Sequence, residues 1–126
     1  MSGVEWLLDT NVVIGLLKGY PPALAMVEQH GLVVEQAAIS QITRMELLGF
    51  PRLTSEEEMA IQSFMGVCHV ILLDEEIERQ AIQLRRTGSF KLPDAIIAAT
   101  AIIRRLRLLS LDQGMSGALG RLPETA

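Results

Sequence analysis

Near its start the chain reads VEWLLDTNVVIGLL, residues 4–17, and this stretch decides the fold. Val4 to Leu8 form a short apolar run of the kind found in a buried strand. Directly after Asp9, Thr10 and Asn11, apolar residues recur at helical spacing. The stretch therefore predicts a β-strand that leads straight into an α-helix, with Asp9 at the carboxyl end of the strand.

The same alternation of strand and helix continues along the chain. Further strands are predicted at Ala37 to Ser40, His69 to Leu73 and Leu106 to Leu111. Helices are predicted at Pro21 to His30, Ile42 to Gly49, Ser55 to Met65, Asp74 to Gly88 and Ala95 to Arg104. Such alternation indicates an α/β fold with a central parallel sheet flanked by helices, a three-layer α/β/α arrangement. We expect one domain over residues 1–126. The helix after Asp74 should carry on its inner face Ile77, Ala81, Ile82 and Leu84.

Hydrophobic residues make up 49% of the chain, which predicts an apolar surface covered by a partner or by a second copy. We expect that surface to include Leu16, Leu17, Leu24 and Met26. The longest apolar run, Ala95 to Ile103, is far shorter than the ~20 residues that cross a bilayer. The N-terminus also lacks the basic stretch of a secretory signal. We therefore expect a cytoplasmic protein with no membrane span.

The net charge of −4 has the wrong sign for a protein that binds nucleic acid through a basic surface. Any role in nucleic-acid binding therefore needs a local explanation. If several acids are gathered around divalent cations, the formal charge overstates the negative field that a phosphate would meet. The single cysteine, Cys68, has no disulfide partner within the chain and is expected to be buried as a small apolar side chain.

Four acids lie beside apolar segments near the same predicted edge of the sheet. Asp9 and Asp112 follow strands, and open parallel sheets bind ligands at the carboxyl ends of their strands. Asp94 lies at the start of the apolar helix, and Glu46 lies in the helix after the second strand. Such carboxylates are able to hold Mg²⁺ or Mn²⁺, hard cations that prefer oxygen ligands. Taken singly, each acid also has a structural explanation. Asp9 and Asp94 are equally explained as helix caps, Asp112 as the start of a turn, and Glu46 as a solvated helical position.

Four stretches resemble the sequence motifs of PIN domains. LLDTNVVI at residues 7–14 is similar to the opening motif, and LPDAIIAATA at residues 92–101 is similar to the third. ISQITRMEL at residues 39–47 is similar to the second motif, and LSLD at residues 109–112 to the fourth. Because the motifs occur in order over nearly the whole chain, the sequence is identified as a member of the PIN-domain family. Its length and compactness resemble the VapC-type toxins.

This resemblance implies a ribonuclease that uses one or two Mg²⁺ or Mn²⁺ ions. It also implies a protein that is often dimeric and often held inactive by a cognate antitoxin. The positions that match metal-binding acids of the family are Asp9, Glu46, Asp94 and Asp112. The positions that match supporting polar residues are Thr10, Asn11 and Ser110.

The fourth motif departs from the family pattern, because Gly114 and Met115 stand where the family often has a further acid and a phenylalanine. This departure leaves open a PIN-like interaction module that keeps the fold without cleavage. A haloacid-dehalogenase-type phosphatase is the enzyme alternative, since it also places an aspartate after the first strand. That class usually needs a second acid two residues on, where this chain has Asn11.

Overall fold

The structure is a computed structural model, and it describes residues 3–112 and 114–115. In chain order its strands and α-helices are β1 (Trp6–Leu8), α1 (Thr10–Leu17), α2 (Pro21–His30), β2 (Ala37–Ser40), α3 (Gln41–Leu48), α4 (Ser55–Val67), β3 (His69–Ile71), α5 (Glu75–Arg86), α6 (Leu92–Arg104) and β4 (Arg107–Leu109). A short 3-10 helix, Val34–Gln36, leads into β2. Within the described ranges no helix is both long and apolar enough to cross a membrane.

The strands form one parallel sheet in the order β3-β2-β1-β4. Leu7 of β1 pairs with Ala38 of β2 on one side and with Leu108 of β4 on the other. The chain thus builds outward from β1 through β2 and β3, and then returns to place β4 on the opposite side of β1. The strand order reverses between β1 and β4, which is the point where open α/β sheets form their ligand crevice.

Helices cover both faces of the sheet, because successive side chains of a strand point to opposite faces. On one face Leu7 packs with buried residues of α5 and α6, among them Ala98. On the other face Leu8 packs with residues from α1 to α4, among them Ile61. This arrangement confirms the predicted parallel sheet with three layers, α/β/α.

The ends of several helices follow from capping groups in the sequence. The hydroxyl of Thr54 accepts a hydrogen bond from the amide of Glu57 at 3.0 Å, and the Glu57 carboxylate accepts one from the amide of Thr54 at 2.9 Å. This reciprocal capping box starts α4 as the sequence predicts. Gly31 ends α2 in the left-handed region, with φ of 60°, where glycine carries no Cβ penalty.

The boundaries of α6 and β4 differ from the prediction. Helix α6 begins at Leu92 rather than Ala95, because Pro93 is tolerated in a first turn, where its missing amide needs no partner. Asp94 consequently lies inside the first turn of α6. Strand β4 ends at Leu109, earlier than predicted, because the following backbone amides bond to side chains instead of a neighbouring strand.

One prediction about α5 is wrong. Ile77, Ala81 and Leu84 are buried as predicted, but 44% of Ile82 is exposed. At 100° per residue Ile82 is turned roughly 140° away from Ile77 around the helix, which puts it outside the inner face. Cys68 is buried as predicted, and this burial raises the pKa of its thiol to about 11.

Candidate active site

The carboxyl ends of β1 and β4 lie side by side at the reversal in strand order. The amide of Asp9 donates to the carbonyl of Leu109 at 2.9 Å, which extends the parallel pairing one residue beyond β1. Asp9 and Ser110, the residues that directly follow the two strands, therefore lie next to each other. A carboxylate and a hydroxyl thus meet at the position where open α/β sheets form their ligand crevice.

Asp9 is only 6% exposed, and both of its carboxylate oxygens accept hydrogen bonds. The amide of Thr10 donates to Oδ1 at 2.7 Å, and the hydroxyl of Ser110 donates to Oδ2 at 2.6 Å. Asp9 is also the N-cap of α1, so the positive end of the helix dipole favours its negative charge. A buried carboxylate is costly unless such partners compensate it. The contacts fix this group in one orientation at the end of β1.

Glu46 is tied to the same place through two threonine hydroxyls. The hydroxyl of Thr10 donates to Oε1 of Glu46 at 2.6 Å, because an ionised carboxylate only accepts. The hydroxyl of Thr43 lies 2.9 Å from that of Thr10, whose single proton is already engaged. Thr43 must therefore donate to Thr10. The resulting chain of hydrogen bonds connects α3 to the residue that follows Asp9.

Thr43 is a site residue that the sequence analysis missed. It is completely buried, and its amide donates to the hydroxyl of Ser40 at the start of α3. One signal was available, because Thr43 and Glu46 are three residues apart and so share a face of the helix. The partner that makes Thr43 useful is Thr10, which is distant in sequence and is brought close only by the fold.

Ser110 organises the loop that follows β4. Its Oγ donates to Asp9 and accepts from the amide of Asp112 at 2.9 Å. The side-chain Oδ1 of Asn11 accepts from the amide of Leu111 at 3.1 Å, and its Nδ2 lies 3.5 Å from Oγ of Ser110. The structure thus places Asn11 and Ser110 where they hold this loop against the first turn of α1.

Asp112 is more exposed than the other acids and participates in a turn. Its Oδ1 accepts from the amide of Gly114 at 2.9 Å. Met115, which also departs from the family pattern, is buried in the cluster beneath α5 and α6. One carboxylate oxygen of Asp112 is therefore engaged in a turn, which was the alternative role for this residue. The buried Met115 anchors the chain just beyond the turn.

The electrostatics of Asp94 connect all four acids. Burial raises the pKa of the Asp94 carboxyl, and the charges of Asp9, Asp112 and Glu46 raise it further. Lys91 acts in the opposite direction without reversing the shift. The Asp94 carboxyl therefore lies within electrostatic range of Asp9, Asp112 and Glu46. We call these four carboxylates, which come from four separate segments of the chain, the acid cluster.

The acid cluster offers oxygen ligands and an excess of negative charge. Oxygen donors suit Mg²⁺ and Mn²⁺, whereas zinc sites usually include nitrogen or sulfur. Among residues 3–112 and 114–115, no three acidic, histidine or cysteine side chains are already close enough to form a set of metal ligands. The oxygen donors of the acid cluster fit a divalent cation such as Mg²⁺ or Mn²⁺ in chemical type.

Both histidines are engaged elsewhere in the fold. The ring of His30 lies 5.1 Å from that of Trp6, centroid to centroid. Nε2 of His69 lies 3.1 Å from the carbonyl oxygen of Glu35. Neither of these contacts involves a residue of the acid cluster.

Comparison with known proteins identifies the family. The sequence model of the PIN domain matches residues 6–118, a range that contains the whole acid cluster. The chain belongs to the PIN-domain family, whose members are generally nucleases. A comparison with curated protein sequences gave no significant match.

Solved structures similar to this chain include toxin–antitoxin assemblies. A chain of the toxin–antitoxin complex from Klebsiella pneumoniae is 32% identical, with a TM-score of 0.74, over 86% of this chain and 88% of that one. FitAcB from Neisseria gonorrhoeae gives 27% identity and a TM-score of 0.73 over 91% and 93% of the two chains. DNA-bound VapBC from Salmonella typhimurium gives 26% identity and a TM-score of 0.69, over 82% of this chain and 83% of that one. These similarities confirm the predicted resemblance to VapC-type PIN toxins.

Proposed function

We propose that this chain is a metal-dependent endoribonuclease that hydrolyses RNA phosphodiester bonds and acts as the toxin of a toxin–antitoxin pair. The observation that carries the proposal is the acid cluster at the reversal in strand order, with the buried and doubly hydrogen-bonded Asp9 at its base. Membership in a family of nucleases supports it. In this proposal residues 1–126 form a single PIN-type nuclease domain.

We assign the binding of one or two Mg²⁺ or Mn²⁺ ions to the four carboxylates, Asp9, Glu46, Asp94 and Asp112. Supporting roles are assigned to Thr10, Asn11 and Ser110. A divalent ion in such a site supplies a water of lowered pKa and neutralises charge on the phosphoryl oxygens during attack. The uncompensated negative charge that acts on Asp94 supports this assignment, because a cation would relieve it.

The protein's own groups supply orientation and a place for the proton. Asp9 is held by the Thr10 amide and the Ser110 hydroxyl before any substrate arrives, so little reorganisation is needed during reaction. Oε1 of Glu46 already accepts from Thr10, which leaves Oε2 to take a proton from the attacking water or to bind a second ion. Thr43, by donating to Thr10, keeps the Thr10 proton directed at Glu46.

A cleavage assay tests the proposal. Single-stranded and structured RNA should be cut in Mg²⁺ or Mn²⁺, and excess chelator should stop the reaction. Asp9→Asn should abolish cutting, whereas Glu75→Gln should not, because the Glu75 side chain is 91% exposed on α5, outside the acid cluster. Cutting that continues in excess chelator contradicts the metal requirement. A folded protein that cuts no RNA with either ion favours the non-catalytic PIN-like interaction module.

The phosphatase alternative has a separate test. The Asn11 side chain, which stands where a haloacid-dehalogenase-type enzyme usually has its second acid, is bound to the amide of Leu111. An amide in that role offers no proton-transferring carboxyl group. We expect no turnover of a generic phosphomonoester under conditions in which RNA is cut.

We propose a cognate antitoxin as protein partner, since the similar structures include complexes of that kind. A groove of about 340 Å³ lies between the end of α1 and α4, and its apolar lining includes Leu17 and Phe50, exposed by 37% and 45%. The side chains expected at a partner surface divide into two groups. Leu17 and Leu24 are exposed, whereas Leu16 and Met26 pack partly against the core. Loss of antitoxin binding in Leu17→Glu, with cleavage retained, tests the groove.

We further propose that the chain forms a homodimer. The support is the set of exposed large apolar side chains outside the antitoxin groove, on α2, in the segment just after β3, on α5 and on α6, which a second copy would cover. We also propose a cytoplasmic location, with which an RNA substrate is consistent. We propose no membrane partner. Fractionation of cells that express the tagged full chain tests that location.

A further inference from the structure

A second groove runs along one side of α1. We call it the α1 groove, and it has a volume of about 490 Å³. Asn11 and Leu111 line it at the start of α1, and Lys18 and Tyr20 line it at the end of that helix. Asn11, Gly15 and Lys18 follow one another at helical spacing, which puts them on one side of α1. At 1.5 Å per residue, the groove follows the helix for about 10 Å.

One end of the α1 groove lies directly beside the acid cluster. Oδ1 of Asn11 accepts a hydrogen bond from the amide of Leu111 at 3.1 Å. Ser110, the residue before Leu111, donates to Asp9 at 2.6 Å. A strand of RNA whose scissile phosphate is bound at the acid cluster therefore meets the groove as soon as it continues along α1.

The other end of the α1 groove presents an aromatic ring that is held in position. The amide of Tyr20 donates to the carbonyl of Gly15 at 2.8 Å, and the carbonyl of Tyr20 accepts from the amide of Ala23 at 3.0 Å. A Cβ built on Gly15 would lie 3.5 Å from ring atom Cδ2 of Tyr20, so the ring packs next to the backbone of α1. Tyr20 is nevertheless 51% exposed. A fixed and exposed ring offers a surface on which an unpaired base stacks.

Lys18 supplies the positive charge that a phosphate requires. Among the residues that the structure describes, it is the one charged residue in the lining of the α1 groove, and it forms no ion pair. A lysine that neutralises a phosphate releases the counterion bound there, which favours binding. A stacking ring beside a cation is the combination with which proteins bind single-stranded nucleic acid.

We propose that the α1 groove binds a single-stranded part of the RNA next to the scissile phosphate, with one base stacked on Tyr20 and a nearby phosphate bound by Lys18. The inference rests on the proposed nuclease function and identifies where the substrate lies beyond the acid cluster. Stacking involves the face of a base rather than its edge, and every base has such a face. The subsite therefore requires a base but does not select one.

Steady-state kinetics of RNA cleavage test the ring of Tyr20. Tyr20→Ala should raise KM about tenfold and leave kcat nearly unchanged, because the ring contacts RNA away from the reacting atoms. Tyr20→Phe keeps the ring and should stay within about twofold of the wild type. Met59→Ala is the control, since Met59 is 69% exposed but lies on α4, outside the groove. Thermal melts establish that each variant is folded.

A substrate that lacks one base tests the stacking itself. An abasic nucleotide is placed in turn at each position on either side of the cut. At one position it should raise the KM of the wild type about tenfold but have no further effect in Tyr20→Ala, because the ring and the base belong to one contact. Equal sensitivity of the two proteins at every position contradicts stacking on Tyr20.

The salt dependence of binding tests Lys18. Labelled single-stranded RNA is titrated with Asp9→Asn in Mn²⁺, so that affinity is measured without cleavage. Antitoxin is left out because Lys18 also lines the antitoxin groove. Adding Lys18→Gln should make the plot of log K against log salt less steep by about 0.7, the value for one phosphate contact with a single strand. Arg79→Gln removes an exposed charge on α5 and should leave the slope unchanged. An unchanged slope in Lys18→Gln contradicts the phosphate contact.

Two results would overturn the inference as a whole. The first is RNA affinity and KM that stay at wild-type values in both Tyr20→Ala and Lys18→Gln. If the same variants bind antitoxin more weakly, the groove belongs to the protein partner instead. The second is Asp9→Asn protein that binds no RNA. The outcome is separable from the nuclease proposal: cleavage with an unchanged KM in every variant contradicts only this subsite. RNA binding that responds as expected, with a wild type that cuts no RNA, contradicts only the nuclease.

Discussion

Asp94→Asn removes one charge from the acid cluster while nearly preserving the shape of the side chain. Burial and three neighbouring carboxylates raise the pKa of Asp94. Between the ordinary pKa of the carboxyl and this raised value, the folded chain binds more protons than the unfolded chain, so stability falls as pH rises. Above that window the loss of stability that the raised pKa causes is complete. In chelator near pH 7, the variant should therefore be at least as stable as the wild type, and its advantage should shrink as pH falls through that window.

A bound metal should reverse this order. An ion present at ~100 times its dissociation constant stabilises the folded state by about 2.7 kcal/mol. For a chain of 126 residues that corresponds to a rise in Tm of roughly 6–15 °C. If the lost carboxylate weakens metal binding about a hundredfold, the ion is then near its dissociation constant and contributes only about 0.4 kcal/mol. The rise in the variant should be about 1–2 °C.

Thermal melts of wild type and Asp94→Asn, with chelator and with Mn²⁺, measure both effects. Glu75→Gln serves as the charge-matched control, since it removes an exposed carboxylate outside the acid cluster and should leave the metal-induced rise unchanged. If Asp94 only complements the dipole of α6, its replacement by asparagine changes the free energy of unfolding by the same amount with and without metal. An equal rise in Tm for wild type and Asp94→Asn would refute the reasoning.

Three other predictions follow from single contacts. Thr43→Val should lower RNA cleavage about tenfold with little change in Tm, because the Thr43 hydroxyl keeps the Thr10 proton directed at Glu46. Thr43→Ser keeps a hydroxyl and should retain activity. Equal cleavage rates for the two variants would contradict this role. Thr54→Ala should lower stability by about 1 kcal/mol in denaturant titrations and leave cleavage unchanged, because it removes the N-cap of α4. Cys68 should resist thiol reagents at about pH 8 until the protein is unfolded, since a pKa of about 11 leaves about one thiolate in a thousand.

The parts of the fold that the sequence predicted well are those with local causes. Helix α2 begins at a proline and ends at Gly31, and α4 begins at a capping box built from Thr54 and Glu57, so neighbouring residues decide these ends. The parallel sheet followed from the alternation of strands and helices. The exposure of Ile82 was predictable from spacing, because at 100° per residue its side chain is turned roughly 140° from that of Ile77 and so lies off the inner face.

The candidate site shows the same division between local and long-range causes. Motif resemblance predicted four metal-binding acids without reference to the fold, namely Asp9, Glu46, Asp94 and Asp112. The hydrogen bond from Thr43 to Thr10 joins residues of α3 and α1, and no local pattern indicates that these two helices meet there. Whether the acids are cation ligands stays a prediction that the experiments above test.

The contact between α1 and α2 makes two positions of the chain depend on each other. Gly15 is buried in α1, and a Cβ built on it would lie 2.7 Å from Cβ of Ala23 in α2, closer than two carbon atoms can approach. Glycine at position 15 therefore lowers the helix propensity of α1 by about 1 kcal/mol relative to alanine, and it allows α2 to pack closely against α1. Within a lineage, alanine at position 15 should be accepted mainly where position 23 has become glycine, so that the two sites covary. In directed evolution of this protein the pair has to be changed together.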